Sequence, residues 1–119
     1  MYIKILFVLS SILFQKQNIT RSWDGSDTPG HSYATFEEFN GKQDFKIKLN
    51  KKESFTFKYS AIIKKGTLHL AIKSGSKTIY EKDIKDTVSD EVKVDYAEGK
   101  KYSFTFTALH AKGSFDVRY

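Results

Sequence analysis

Lys100-Lys-Tyr-Ser-Phe-Thr-Phe-Thr-Ala-Leu-His-Ala-Lys-Gly-Ser-Phe-Asp-Val-Arg-Tyr119 holds the pattern that decides the fold. Tyr102, Phe104 and Phe106 alternate with Ser103 and Thr105, and Phe115, Val117 and Tyr119 alternate with Asp116 and Arg118. Period two sends every second side chain to the same face of a sheet. Each run therefore offers one apolar and one polar face, and Lys112-Gly113 between them reads as a turn.

The same words occur earlier in the chain. Lys51-Lys52-Glu53-Ser54-Phe55-Thr56-Phe57 corresponds to Lys100–Phe106, and Lys65-Gly66-Thr67-Leu68 corresponds to Lys112-Gly113-Ser114-Phe115. A strand, turn and strand unit thus occurs twice, either as one hairpin in each half of a pseudo-symmetric sandwich or as a chance echo in a β-rich chain. Outside these units Phe45, Ile47 and Leu49, then Leu68, Leu70 and Ile72, then Val92, Val94 and Tyr96 alternate with polar or small residues. Weaker strands are expected near Tyr33–Phe39 and Thr78–Ile84. Turn signals stand between the runs at Asn40-Gly41, Asn50-Lys51, Lys65-Gly66, Ser74-Gly75-Ser76 and Glu98-Gly99-Lys100.

Seven or eight short strands at such spacing predict an all-β protein, an antiparallel β-sandwich, Ig-like or jelly-roll-like, or a small barrel. One-sided alternation favours antiparallel pairing, because parallel sheets are buried on both faces. No amphipathic helix of useful length is visible, and Asp83–Glu91 reads as a long loop or a single helical turn. A length of 119 residues suits one domain.

Ahead of this body, Lys4 precedes the apolar run Ile5–Phe14, and the next charge is Lys16. That is the layout of a secretory signal peptide. As a helix the run would be about 15 Å long, roughly half of a bilayer's hydrocarbon thickness. Thr20 and Ser22, before Trp23, are the best small pair for cleavage, so residues 1–22 are read as signal and linker and residues 23–119 as the domain. The alternative is that Ile3–Leu9 is a buried strand of the fold. The chain has no Cys, which excludes a disulfide scaffold, a thiolate zinc site and a catalytic cysteine without contradicting export.

Neither a G-x-S-x-G elbow nor another catalytic word accompanies His31, His69 and His110. His69 falls on the polar side of its strand and His110 in a hairpin loop. The acidic, glycine-containing stretch Asp24–Gly30 could offer oxygens to Ca²⁺, but it lacks EF-hand spacing and reads as a solvated turn. No metal and no cofactor is expected. The formal charge of +6 raises the question of nucleic acid. Lys46, Lys48 and Lys58 point outward from two neighbouring segments and would form one cationic patch if these pair. Phe55, Phe57, Phe104 and Phe106 belong to the opposite, inward face, where no base could stack on them. No nucleic-acid partner is therefore expected. The excess, reduced further by loss of Lys4 and Lys16 with a leader, suits solubility, protection of edge strands, or attraction to anionic envelope polymers and lipid head groups.

Alternation breaks in the stretch Trp23–Phe39, which mixes aromatics, acids and glycines in the manner of protein or carbohydrate recognition loops. The competing reading is that its aromatics plug one end of the sandwich. The candidate ligand-binding residues are Trp23, His31, Tyr33 and Phe36, with Lys46, Lys48 and Lys58. The order Trp23…His31-Ser-Tyr33…Phe36…Phe39-Asn-Gly41, then Lys64-Lys-Gly-Thr-Leu68, then Lys112-Gly-Ser-Phe-Asp-Val117, resembles small exported β-sandwich proteins of low-GC Gram-positive bacteria, many of them lipoproteins. The resemblance implies an envelope or extracellular setting and supplies no catalytic residues, and this chain lacks the lipid-bearing Cys.

The expectation is a monomeric, non-catalytic binding or accessory module at the cell exterior, with an envelope polymer or a protein as its partner. Peripheral membrane association stays open. The alternative is an inhibitor or immunity factor acting by protein–protein contact, and an enzyme ranks third.

Overall fold

The computed structural model describes residues 19–119. The apolar run Ile5–Phe14 and the alternative strand Ile3–Leu9 lie outside the described residues. Seven strands follow in order: β1 (Ile19–Arg21), β2 (Asp24–Thr28), β3 (His31–Lys46), β4 (Phe55–Ser74), β5 (Lys77–Ile84), β6 (Thr87–Val94) and β7 (Tyr102–Arg118). Every pairing is antiparallel, and the main path across the sheet is β1-β3-β7-β4-β5, with β2 added to β3 and β6 to β4.

The all-β, antiparallel sandwich expected from the alternation is present, but its layers are made differently. Three strands are long (16, 20 and 17 residues) and run through both layers of one continuous, creased sheet. The signals at Asn40-Gly41, Lys65-Gly66 and Lys112-Gly113 are therefore not turns. They are the creases, where the pairing registers of β3, β4 and β7 slip. An extra residue in one strand of a pair bends the strand and strengthens its twist.

The inward set shows the slip directly. On β4 it passes from Phe57, Tyr59, Ala61 and Ile63 to Leu68, Leu70 and Ile72. On β7 it passes from Phe104, Phe106 and Ala108 to Ala111, Phe115 and Val117. Odd and even positions exchange at each crease, so the apolar side stays inside on both layers. Gly66 and Gly113 make the crossing possible with φ of 72° and 152°. A side chain on Gly66 would run into the carbonyls of Leu109 and His110, and one on Gly113 into that of Ile62. His110, expected in a hairpin loop, is a crease residue of β7 with a left-handed φ of 47°. The two echoed units are likewise creased strands rather than hairpins. They are antiparallel neighbours, meeting at the Lys65–Lys112 pair.

The first layer comprises β2, β6 and the halves of β3, β4 and β7 around residues 31–36, 55–63 and 113–118. The second comprises β5 and the halves around residues 41–46, 67–74 and 102–108, while β1 pairs beside the crease of β3. Aromatic rings join them: Phe106 stacks on Phe115 at 4.2 Å, Phe57 meets the edge of Phe104 at 5.2 Å, and Phe45 meets Phe115 at 5.8 Å. The Tyr59 and Tyr80 hydroxyls hydrogen-bond at 2.6 Å across the same gap.

Three more sequence expectations change. Thr87–Val94 is a strand rather than a loop or helical turn, because β6 is an outermost strand and need show an apolar side only at Val88, Val92 and Val94. Strand β3 ends at Lys46, so Ile47 and Leu49 pack inward from the connecting segment. Asp24–Thr28 is extended on β3, closed by the Pro29-Gly30 turn. Asp24 and Asp27, three residues apart on a strand, project to opposite sides and cannot converge on one ion.

Candidate functional site

The outward face of the first layer carries an ordered array of side chains. Register alone places Tyr33, Asp116, Ser60 and Ser89 in one row across β3, β7, β4 and β6. The next row is His31, Arg118, Lys58 and Glu91, and the row on the other side is Thr35, Ser114, Ile62 and Thr87. With strands about 4.8 Å apart, four of them make a platform about 15 Å wide. Two shallow depressions of about 410 and 340 Å³ share Ser60, Ser89 and Asp116 on this face.

One acceptor of this face, Asp116, is held from two sides. Asp116 accepts a hydrogen bond from Arg118 Nε at 3.2 Å, and its other oxygen lies 3.0 Å from His31 Nε2. The His31 and Tyr33 rings are 5.1 Å apart, and Tyr33 is 43% exposed. Lys58 and Arg118 face Asp90, Glu91 and Asp116 around the same depression, so charges of both signs are interleaved. An exposed ring beside paired, oriented donors and acceptors and several hydroxyls can hold a polar molecule that has an apolar face. Beneath, burial raises the Tyr59 hydroxyl above its ordinary range, with the Tyr80 hydrogen bond and the Asp90 charge acting in the same direction.

The residues singled out from sequence separate into four places. His31, Tyr33 and Lys58 come together on this face. Trp23 is half-buried at the core's rim, stacked on Phe36 at 5.5 Å and edge-on to Phe39 and Phe115. Phe36 is the correction to the candidate list: it is 1% exposed in the core, so no ligand reaches it. Lys46 and Lys48 do not join Lys58, because Lys46 pairs with Ser103 in the second-layer half of β3, beyond the crease, whereas Lys58 pairs with Arg118 in the first layer. They instead line a separate cleft of about 450 Å³ with Lys52, Lys100 and Lys101. Sequence reasoning missed Ser60, Ser89, Asp116 and Arg118, although the last two are the outward alternates of Phe115 and Val117.

Each histidine is engaged by carboxylates. His110 Nδ1 is 3.0 Å from Glu38, and His69 lies between Asp83 at 2.7 Å and Glu81 at 3.0 Å on the outer side of the second layer. The Asp83 hydrogen bond is the main reason that His69 holds its proton above the ordinary range, against a smaller desolvation effect, with Glu81 assisting. Among the described residues, no group of three or more His, Cys, Asp or Glu is arranged to hold a metal ion.

These features define an antiparallel folded-sheet sandwich with an open polar face. No family model matches the sequence, and no curated protein matches it. Two solved structures are similar in outline. One is described as "CBM4 structure and function" (10% identity, TM-score 0.45, covering 83% of this chain and 76% of that one). The other is the Drosophila melanogaster CENP-C cupin domain (13% identity, TM-score 0.34, covering 90% and 84%).

Proposed function

We propose that this chain is a non-catalytic binding module acting outside the cytoplasm, and that the outer face of its first layer takes a neutral, hydroxyl-rich ligand such as a polysaccharide. The observation that carries the reading is the single row Tyr33–Asp116–Ser60–Ser89, in which an exposed ring stands beside a carboxylate held by His31 and Arg118 and two serines. A sugar presents C–H groups on one side and hydroxyls at its rim, which suits a ring flanked by such groups. Balanced charge on the platform favours an uncharged ligand over an ionic one. His69, with both ring nitrogens taken by Asp83 and Glu81, has none left to serve as base toward a hydroxyl nucleophile, which supports a binding role over acyl transfer there. Export is supported by the charged start and apolar run of residues 1–16.

Titration of the protein with soluble gluco-, xylo- and chito-oligosaccharides, followed by NMR, tests the ligand class. Shifts centred on Tyr33, Ser60, Ser89 and Asp116, extending at most to the neighbouring rows of the same face, and abolished by Tyr33→Ala are expected; shifts on another surface, or none, would reject it. Intact mass of the native protein from medium, envelope and cytosol tests the compartment. A form beginning between Gln15 and Trp23 and found outside the cytosol is expected from export, and a start at or before Ile19 would keep β1 on Glu38–Asn40. A full-length cytosolic form would rule out export. A second reading, contact with a protein, is favoured by Ile62, 49% exposed beside the platform. A stoichiometric protein partner lost on Ile62→Ser, with saccharides inert, would select it.

A further inference from the structure

We infer that the cleft between the end of β3 and the β6–β7 connection is a second binding site, independent of the sheet face, for a chain of phosphodiester-linked polyol or sugar units. Lys46, Lys48 and Lys52 approach it from one side and Lys100 and Lys101 from another, and no acidic residue lines it. Glu53, Asp95 and Glu98 belong to the same connecting segments but are not among its lining residues. Among the described residues, the salt bridges run between other groups and leave all five ammonium groups unpaired. Five like charges held round one cleft repel one another, and a polyanion threaded between them relieves that repulsion.

The floor narrows the ligand class. Ile47, Leu49, Tyr96 and Tyr102 make it apolar, which suits the carbon units between successive phosphates. All the cations are lysines, compact point charges with three donors each, which suit an anion met in varied orientations along a flexible chain rather than one held in a fixed bidentate geometry. Nucleic acid fits less well. Tyr102 is 6% exposed, with its hydroxyl donating to the Asp95 carbonyl and accepting from the Ala97 N–H, so it offers no free face to a base, which leaves the half-buried Tyr96 as the single ring of the lining within reach of one, short of a platform for successive bases.

The test uses the full chain and linear inorganic polyphosphate as probe, titrated at several salt concentrations. Polygalacturonate, an oligo-dT strand and phosphatidylglycerol vesicles are titrated in parallel. Affinity for polyphosphate should fall steeply with salt, with a log–log slope of about −3.5 if each of the five lysines engages one phosphate. Replacing Lys48, Lys100 and Lys101 by Gln should flatten that slope by about 2 and cut affinity at least tenfold at low salt. A charge-matched control, Lys64→Gln/Lys82→Gln/Lys93→Gln, should change little, and circular dichroism of both variants should match the parent. Equal losses in the two variants would reduce the effect to net charge and overturn the site. Equal or tighter binding of polygalacturonate or oligo-dT, or binding to vesicles alone, would overturn the ligand class. Tyr33→Ala should leave polyphosphate binding intact, so this site and the saccharide face fail separately.

Discussion

Phe104 has no solvent exposure and touches Phe45, Phe57 and Phe106, members of both layers. Phe104→Ala should therefore cost about 3–5 kcal/mol by chemical denaturation. A loss under about 1 kcal/mol would mean that the assigned inner face is wrong. His69 behaves differently, because its partners act through charge. Its folded-state affinity for the proton is raised, so its contribution to stability is complete below the ordinary value of 6.5 and disappears as pH rises through the raised value. Asp83 is lowered, chiefly by its hydrogen bond to His69, so its contribution is present above its ordinary 3.8 and disappears as pH falls through the lowered value. The cluster thus stabilises most in the weakly acidic window between those limits. Thermal unfolding of the parent and of His69→Gln should differ most there and converge at alkaline pH. A difference independent of pH would show that His69 acts by packing alone.

At the scale of elements, the creases carry the fold. Gly113 pairs tightly against β4, where a Cβ would collide with the Ile62 backbone, and its φ lies where other residues are strained. Gly113→Ala should destabilise by more than the roughly 1 kcal/mol typical of point changes. Denaturant titration would read this, and a near-neutral result would mean that the strand is continuous without the kink. The same element shows how far sequence reading reaches. Alternation over 102–106 and 115–119 revealed which side chains face inward, since a strand's pleat needs only local sterics. The phase change between the two runs was equally visible. It read as a turn because a Lys-Gly step with a phase change looks alike in a hairpin and in a bulge. The difference lies in whether β4 continues alongside, which is a non-local fact.

At the scale of the whole molecule, the folded sheet gives an outer face on its first layer and a lysine-lined rim cleft with different chemistry. The first-layer face mixes signs of charge, and the cleft carries positive charge only. Tyr33, being exposed, should tolerate Ala within about 0.5 kcal/mol. Any loss of saccharide binding in Tyr33→Ala at unchanged melting temperature would then report contact rather than unfolding. A melting temperature that falls with the binding would assign Tyr33 to the structure instead.

Strand content and inward faces followed from residue order, because each depends on a side chain and its near neighbours along one strand, and the lack of thiol chemistry followed from composition alone. The grouping of surface residues did not. His31, Tyr33 and Lys58 share a platform because β7 lies between β3 and β4 in a particular register, whereas Lys46 and Lys48 meet Lys100 and Lys101 because two connections converge at the rim. Phe36 shows the same division in reverse. It looked available in an irregular stretch, yet it is buried because Trp23, Phe39 and Phe115 close over it. Pairing partners and register set those neighbours, and they are chosen by the burial of all strands together rather than by any one of them.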